Sequence, residues 1–188
     1  MLRGIYITNN SNININNCII SGNTAYYGGG IGNEGTLDIT SSTISGNTAT
    51  RGGGIYTSFG LFGGTSTITS STISGNTATR GGGIYNYSTL TITSSIISIN
   101  TADYYGGGIH NFYGTLTITS STISGNDGTF QGGGILIGTG IDTIGGNDAS
   151  DTSNFNTFTD NKKDGIISAE QHICGFGGDC RSSYPYNY

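Results

Sequence analysis

The 188-residue sequence predicts an all-β fold: a single-stranded right-handed parallel β-helix (a β-solenoid) of about 24–26 residues per coil and about five to seven coils. Three observations carry this prediction. The first is composition. Gly contributes 35 residues, Pro one and Trp none; charged residues make up 9% and hydrophobic ones 33%. Thr, Ser, Asn, Ile and Gly dominate, a poor mixture for helices and a good one for strands and turns. Low charge with abundant β-branched residues also argues against disorder. The second is repetition. Gly-Gly-Gly-Ile begins at Gly28, Gly52, Gly81, Gly106 and Gly132, at intervals of 24, 29, 25 and 26 residues. Each triplet is preceded by a stretch ending in Thr-Ile-Ser-Gly-Asn or a variant, with a Thr-Leu-Thr-Ile-Thr-like segment in between. The third is local period. In Thr89-Leu90-Thr91-Ile92-Thr93 the apolar residues alternate with threonines, as in a strand with one buried face.

Taken in chain order, residues 1–135 form the regular coils. Arg3–Tyr6 aligns with Arg51–Tyr56 and Arg80–Tyr85, so the sequence opens within a coil. Further coils of a longer parent chain, or end-to-end stacking of copies into a filament, are the expected partners of that end. A single coil cannot bury its apolar residues, but stacked coils can. Alignment gives inward columns such as Ile15, Ile39, Ile68, Ile92, Ile118 and Ile20, Ile44, Ile73, Ile97, Ile123. Three strand-like segments per coil favour a three-sided cross-section, and the right-handed coil follows from the preferred hand of parallel crossovers. The longest interval holds an insertion near Thr57–Phe62, read as a loop at one corner.

Gly and Asn mark the corners. The column Asn23, Asn47, Asn76, Asn100, Asn126 reads as a structural ladder of stacked amides. Cys18 aligns with Ser42, Ser71, Ser95 and Ser121 and is expected to be a small buried corner residue. Beyond Gly132 the repeat degrades. Residues 136–170 are expected to form irregular terminal coils and residues 171–188 a tail. Cys174 and Cys180 bracket a Gly-rich loop there; a local disulfide and two neighbouring thiols both fit the spacing.

The Gly-Gly-Gly-Ile element and Ile44-Ser45-Gly46-Asn47 with its equivalents resemble the polymorphic outer-membrane-protein repeat and related bacterial parallel β-helix repeats. That family carries a Gly-Gly-Ala-Ile-like element and a Phe-x-x-Asn element, with Ile standing here for Phe. The resemblance covers about residues 3–135. It implies a right-handed β-helix on a secreted or cell-surface protein, often adhesin-like.

A search for chemistry gives no catalytic constellation, no metal site and no cofactor. The acids of the regular coils, Glu34, Asp38, Asp103 and Asp127, fall in different columns. His172 with Cys174 and Cys180, and Asp148, Asp151, Asp160 and Asp164, lack the spacing of a zinc or calcium site. Net charge is −5 with no basic stripe, so nucleic acid is not an expected partner, and no apolar run reaches the length of a membrane span. Two surface features remain. Tyr56, Tyr85 and His110 share an outward column, expected to expose its rings, and Thr67, Thr91 and Thr117 are the centre of a threonine grid. These rows suit weak, repeated contacts with surface glycans. The expected function is a structural or adhesive extracellular module without catalysis. The alternatives are a carbohydrate-binding or polysaccharide-degrading β-helix and, through the threonines, an ice-binding face.

Overall fold

The computed structural model describes residues 4–58, 64–138, 141–144, 157–163, 166–167, 173–175 and 180–181. Each coil contributes one strand to each of four sheets, as in Ile84–Asn86, Thr89–Thr93, Ile96–Ser98 and Thr101–Tyr105. Every regular strand pairs in parallel with its counterpart one coil away. Ile68, for example, pairs with Ile39 on one side and Ile92 on the other. The three-sided expectation is thus corrected to four ladders. The dipeptide Gly46-Asn47 and its equivalents end one strand at Ser45 and begin the next at Thr48, dividing a stretch that alternation alone reads as one side. Antiparallel pairing appears among the last strands, between Lys162–Lys163 and Ile166–Ile167 and between Ile173–Gly175 and Cys180–Arg181.

The stacked Ile and Leu columns form one core. Ile31, Ile55, Ile84, Ile109 and Ile135 are fully buried, as are Leu37, Leu90 and Leu116. Ser66 takes the Leu position in its coil, and Asn33 Nδ2 donates to its hydroxyl at 3.0 Å. In the first described coil Ile5 and Ile13, which pair with Ile31 and Leu37, are more than one-third exposed. Cys18 is likewise exposed, which corrects its expected burial. It keeps its place in the serine column through its N–H, which donates to Ser42 Oγ at 3.1 Å.

The Gly triplets are needed because backbones of successive coils touch there. A Cβ at Gly82 would lie 2.4 Å from Thr101 O and 2.5 Å from Gly107 O. Gly81 has φ +65°, which L side chains rarely adopt. A second left-handed column contains Gly22, Gly46, Gly75, Ile99 and Gly125, and Ile99 is its misfit, a β-branched residue at φ 56° with 69% of its surface exposed. Space is not the difficulty, since a Cβ at Gly75 would meet nothing closer than 4.0 Å. The strain is in the backbone. Ile99→Gly is therefore expected to stabilise the fold by about 1 kcal/mol, read as a raised denaturation midpoint, with Ile99→Asn falling between. A lowered midpoint for Ile99→Gly would contradict this.

Candidate functional site

The most distinctive surface is built around the glycine corner. The first sheet sends outward the column Tyr6, Gly32, Tyr56, Tyr85, His110, Leu136. The fourth sheet, just before the corner, contributes Tyr27, Arg51, Arg80, Tyr105 and Gln131. The glycines between them carry no side chains, so the two columns meet over the corner. Tyr27 and Tyr56 lie 4.8 Å apart by ring centroids, Tyr56 and Tyr85 stack at 5.7 Å, and Tyr105 approaches His110 at 5.7 Å. The Arg51 guanidinium lies 5.5 Å from the Tyr27 centroid and 5.7 Å from that of Tyr85, and Arg80 lies 5.7 Å from Tyr105. These are cation–π distances. Phe112 joins the ridge beside Tyr85, Tyr87 and His110, and Tyr113 packs on Phe112. Along its rim Tyr26, Tyr104, Tyr113 and Phe130 are each about half exposed.

This geometry corrects the expected exposure of the ring column. Tyr85 and His110 are buried, at 2% and 1% exposure, and Tyr56 is half-buried. Alternation gives their outward direction, but the neighbouring column and Phe112 cover them. Burial raises the Tyr85 phenol to about 12 and pushes Tyr56 upward as well. Burial, followed by the charges of Arg80 and Arg51, lowers His110 to about 3. At this corner a neutral imidazole, His110, therefore lies among tyrosine rings and beside the guanidinium groups of Arg51 and Arg80. The ridge offers flat ring faces and hydrogen-bond donors.

Along the first-sheet column Gly32 leaves a gap in the run of rings between Tyr6 and Tyr56. A cleft of about 220 Å³ opens there, lined by Tyr6, Tyr26, Tyr27, Tyr56 and Glu34, with Gly32 at its floor. Tyr26 and Tyr27 stand nearly perpendicular, at 88° and 4.6 Å. Their rings form two walls.

The remaining candidates lie elsewhere. Thr67, Thr91 and Thr117 are in register and half-buried on the second sheet, where Asp38 continues their column. Asn23, Asn47, Asn76, Asn100 and Asn126 line an inner corner. Each Nδ2 donates to the Oδ1 of the next coil's Asn at 3.0–3.1 Å, and Asn126 passes the chain to Asn161 at 2.9 Å. The backbones of Cys174 and Cys180 pair directly across an antiparallel bridge; their side chains, like His172, Asp148, Asp151 and Asp164, lie outside the described residues. Among the described residues no three His, Cys, Asp or Glu side chains gather as around a metal ion, and no helix is long and apolar enough to cross a membrane.

Sequence reasoning missed the cleft and a second buried polar column, Asn33, Thr57, Asn86 and Asn111. Asn86 Nδ2 donates to Asn111 Oδ1 at 2.7 Å, and Asn111 Nδ2 to Gly114 O at 3.0 Å. The signal was present in the sequence, as a polar residue three positions after the last Gly of four successive triplets. No curated protein and no solved structure matches the chain. The family described as right-handed β-helix region matches residues 3–175. With its parallel ladders and coils of roughly 26 residues, the chain belongs to the right-handed β-helix family.

Proposed function

We propose that the chain is a non-catalytic adhesive module, displayed outside the cell or on its surface, that uses the aromatic corner to hold neutral glycans. The observation that carries this reading is the ridge itself. Tyr104, Tyr113 and Phe130 each expose about half of their surface on a scaffold whose coils are locked in register, and several weak contacts held in fixed positions add up on a repetitive partner. Half-exposed rings beside guanidinium donors suit sugar faces and hydroxyls. The carboxylates Glu34, Asp38, Asp103 and Asp127 are spread over separate columns, which favours binding over hydrolysis. The threonine grid is less well suited to this role: its centre is half-buried, and Thr93 and Thr119 hydroxyls bond to each other at 3.3 Å.

Sedimentation with insoluble neutral polysaccharides tests the reading. The wild-type chain is expected to be retained on at least one of cellulose, chitin, xylan or β-1,3-glucan. The triple substitution Tyr104→Ala, Tyr113→Ala, Phe130→Ala should cut retention roughly tenfold with an unchanged circular dichroism spectrum. Retention on none of them, or equal retention of the variant, overturns the proposal.

A further inference from the structure

We infer that the cleft over Gly32 is a discrete binding site for a single neutral sugar ring, the end or branch unit of a glycan. The inference rests on the proposed glycan-binding role and adds to it a defined subsite with its own residues. The ridge elsewhere is continuous because each ring packs on the next. At Gly32 one ring is missing, and its space is bounded by Tyr6, Tyr27 and Tyr56, with Tyr26 at a right angle to Tyr27. About 220 Å³ accommodates one pyranose with its hydroxyls. Phenol rings supply faces for the ring's C–H surface, and phenolic hydroxyls and Glu34 supply polar groups for its hydroxyls.

Several aromatic walls and one carboxylate could also cage an organic cation. The charge beside the cleft decides between the two. Arg51 already stacks on Tyr27, 5.5 Å from its centroid, and would repel a second cation brought to the same wall. A neutral polyhydroxylated ligand meets no such penalty.

Gly32 supplies a clean test because the gap can be closed. Its backbone does not need glycine's left-handed range, and an added Cβ would first meet Tyr6 Cδ2 at 3.1 Å, on a side chain that is 52% exposed, while the nearest backbone atom, Tyr27 O, lies at an ordinary 3.7 Å. Gly32→Tyr should therefore fold and occupy the cleft with a ring of its own. Calorimetric titration would use soluble hexasaccharides of glucose, xylose and N-acetylglucosamine, with choline chloride as the cationic probe. Wild type is expected to bind at least one hexasaccharide. Gly32→Tyr should weaken that binding roughly tenfold or more, while Glu34→Gln, which keeps a hydrogen-bonding group without charge, should change it by no more than about twofold. The control Ser74→Ala, on the third sheet and outside both the ridge and the cleft, should bind the hexasaccharide as wild type does. Failure of the triple variant of Tyr104, Tyr113 and Phe130 to lose polysaccharide retention would count against the adhesive ridge alone. The cleft assignment falls if no hexasaccharide binds, if Gly32→Tyr binds as tightly as wild type, or if choline binds and Glu34→Gln abolishes it.

Discussion

Asn76→Ala is expected to lower the unfolding free energy by about 4 kcal/mol or more, and Asn76→Asp by at least as much. The Asn76 side chain is fully buried and all of its hydrogen-bonding capacity is used. Its Nδ2 donates to Ile44 O and to Asn100 Oδ1, both at 3.0 Å. Its Oδ1 accepts from Asn47 N and Asn47 Nδ2, also at 3.0 Å. Truncation leaves two buried donors and two buried acceptors short of a partner, at roughly 1 kcal/mol or more each. Aspartate keeps the shape but points a carboxylate at Ile44 O and Asn100 Oδ1, where donors are needed, in a fully buried site. Asn23 makes the control. It is half-buried and its amide donates only to Ser21 O and Asn47 Oδ1, so Asn23→Ala should cost about 1 kcal/mol. Denaturant titration of the three variants checks the ordering. Equal losses for Asn76→Ala and Asn23→Ala would mean that the ladder is not the main stabilising feature of this corner. Unfolding of a stack can proceed by parts, so circular dichroism and tyrosine fluorescence should be followed together.

The fold was legible because one-dimensional spacing and three-dimensional neighbourhood coincide in a solenoid. A residue one repeat away in sequence is one strand spacing away in space, so aligning Ile39, Ile68 and Ile92 already gives the register. The corners were harder. Gly46-Asn47 looks like punctuation within one side, yet its Asn turns inward and divides that side into two strands. Least legible was burial on the outer face. Alternation places Tyr85 and His110 outward, and that direction is correct. Whether an outward side chain meets water depends on what the adjoining sheet presents across the corner. Here that neighbour is the column of Arg51, Arg80 and Tyr105, separated from the rings by glycines that leave room for the two columns to meet. The cleft follows the same logic, since Gly32 is informative only once its column is known to be a column of rings.

His110 gives the fold a pH dependence that its neighbour in the next coil lacks. The imidazole is 1% exposed, and neither ring nitrogen has a hydrogen-bond partner. Tyr85, Tyr105 and Phe112 surround it at 4.9, 5.7 and 5.5 Å, and Arg80 and Arg51 add positive charge nearby. Its folded pKa therefore falls to about 3, against 6.5 for a free imidazole. Above pH 6.5 both states are neutral and the group makes no pH-dependent contribution. As pH falls below 6.5 the unfolded chain binds a proton that the folded chain refuses, so stability declines until the folded group itself titrates near pH 3. The loss should reach about 2 kcal/mol at pH 5. Leu136 fills the equivalent position one coil on and is fully buried, so His110→Leu is a substitution the column already tolerates. At pH 7 that variant should be more stable than wild type by about 1 kcal/mol, having shed unpartnered buried nitrogens. Its advantage should widen by about 2 kcal/mol at pH 5, because the carboxylates titrate alike in both proteins and cancel in the difference. Denaturant titrations of the two proteins at both pH values measure that difference, and parallel stability curves would place a proton-accessible imidazole at this position.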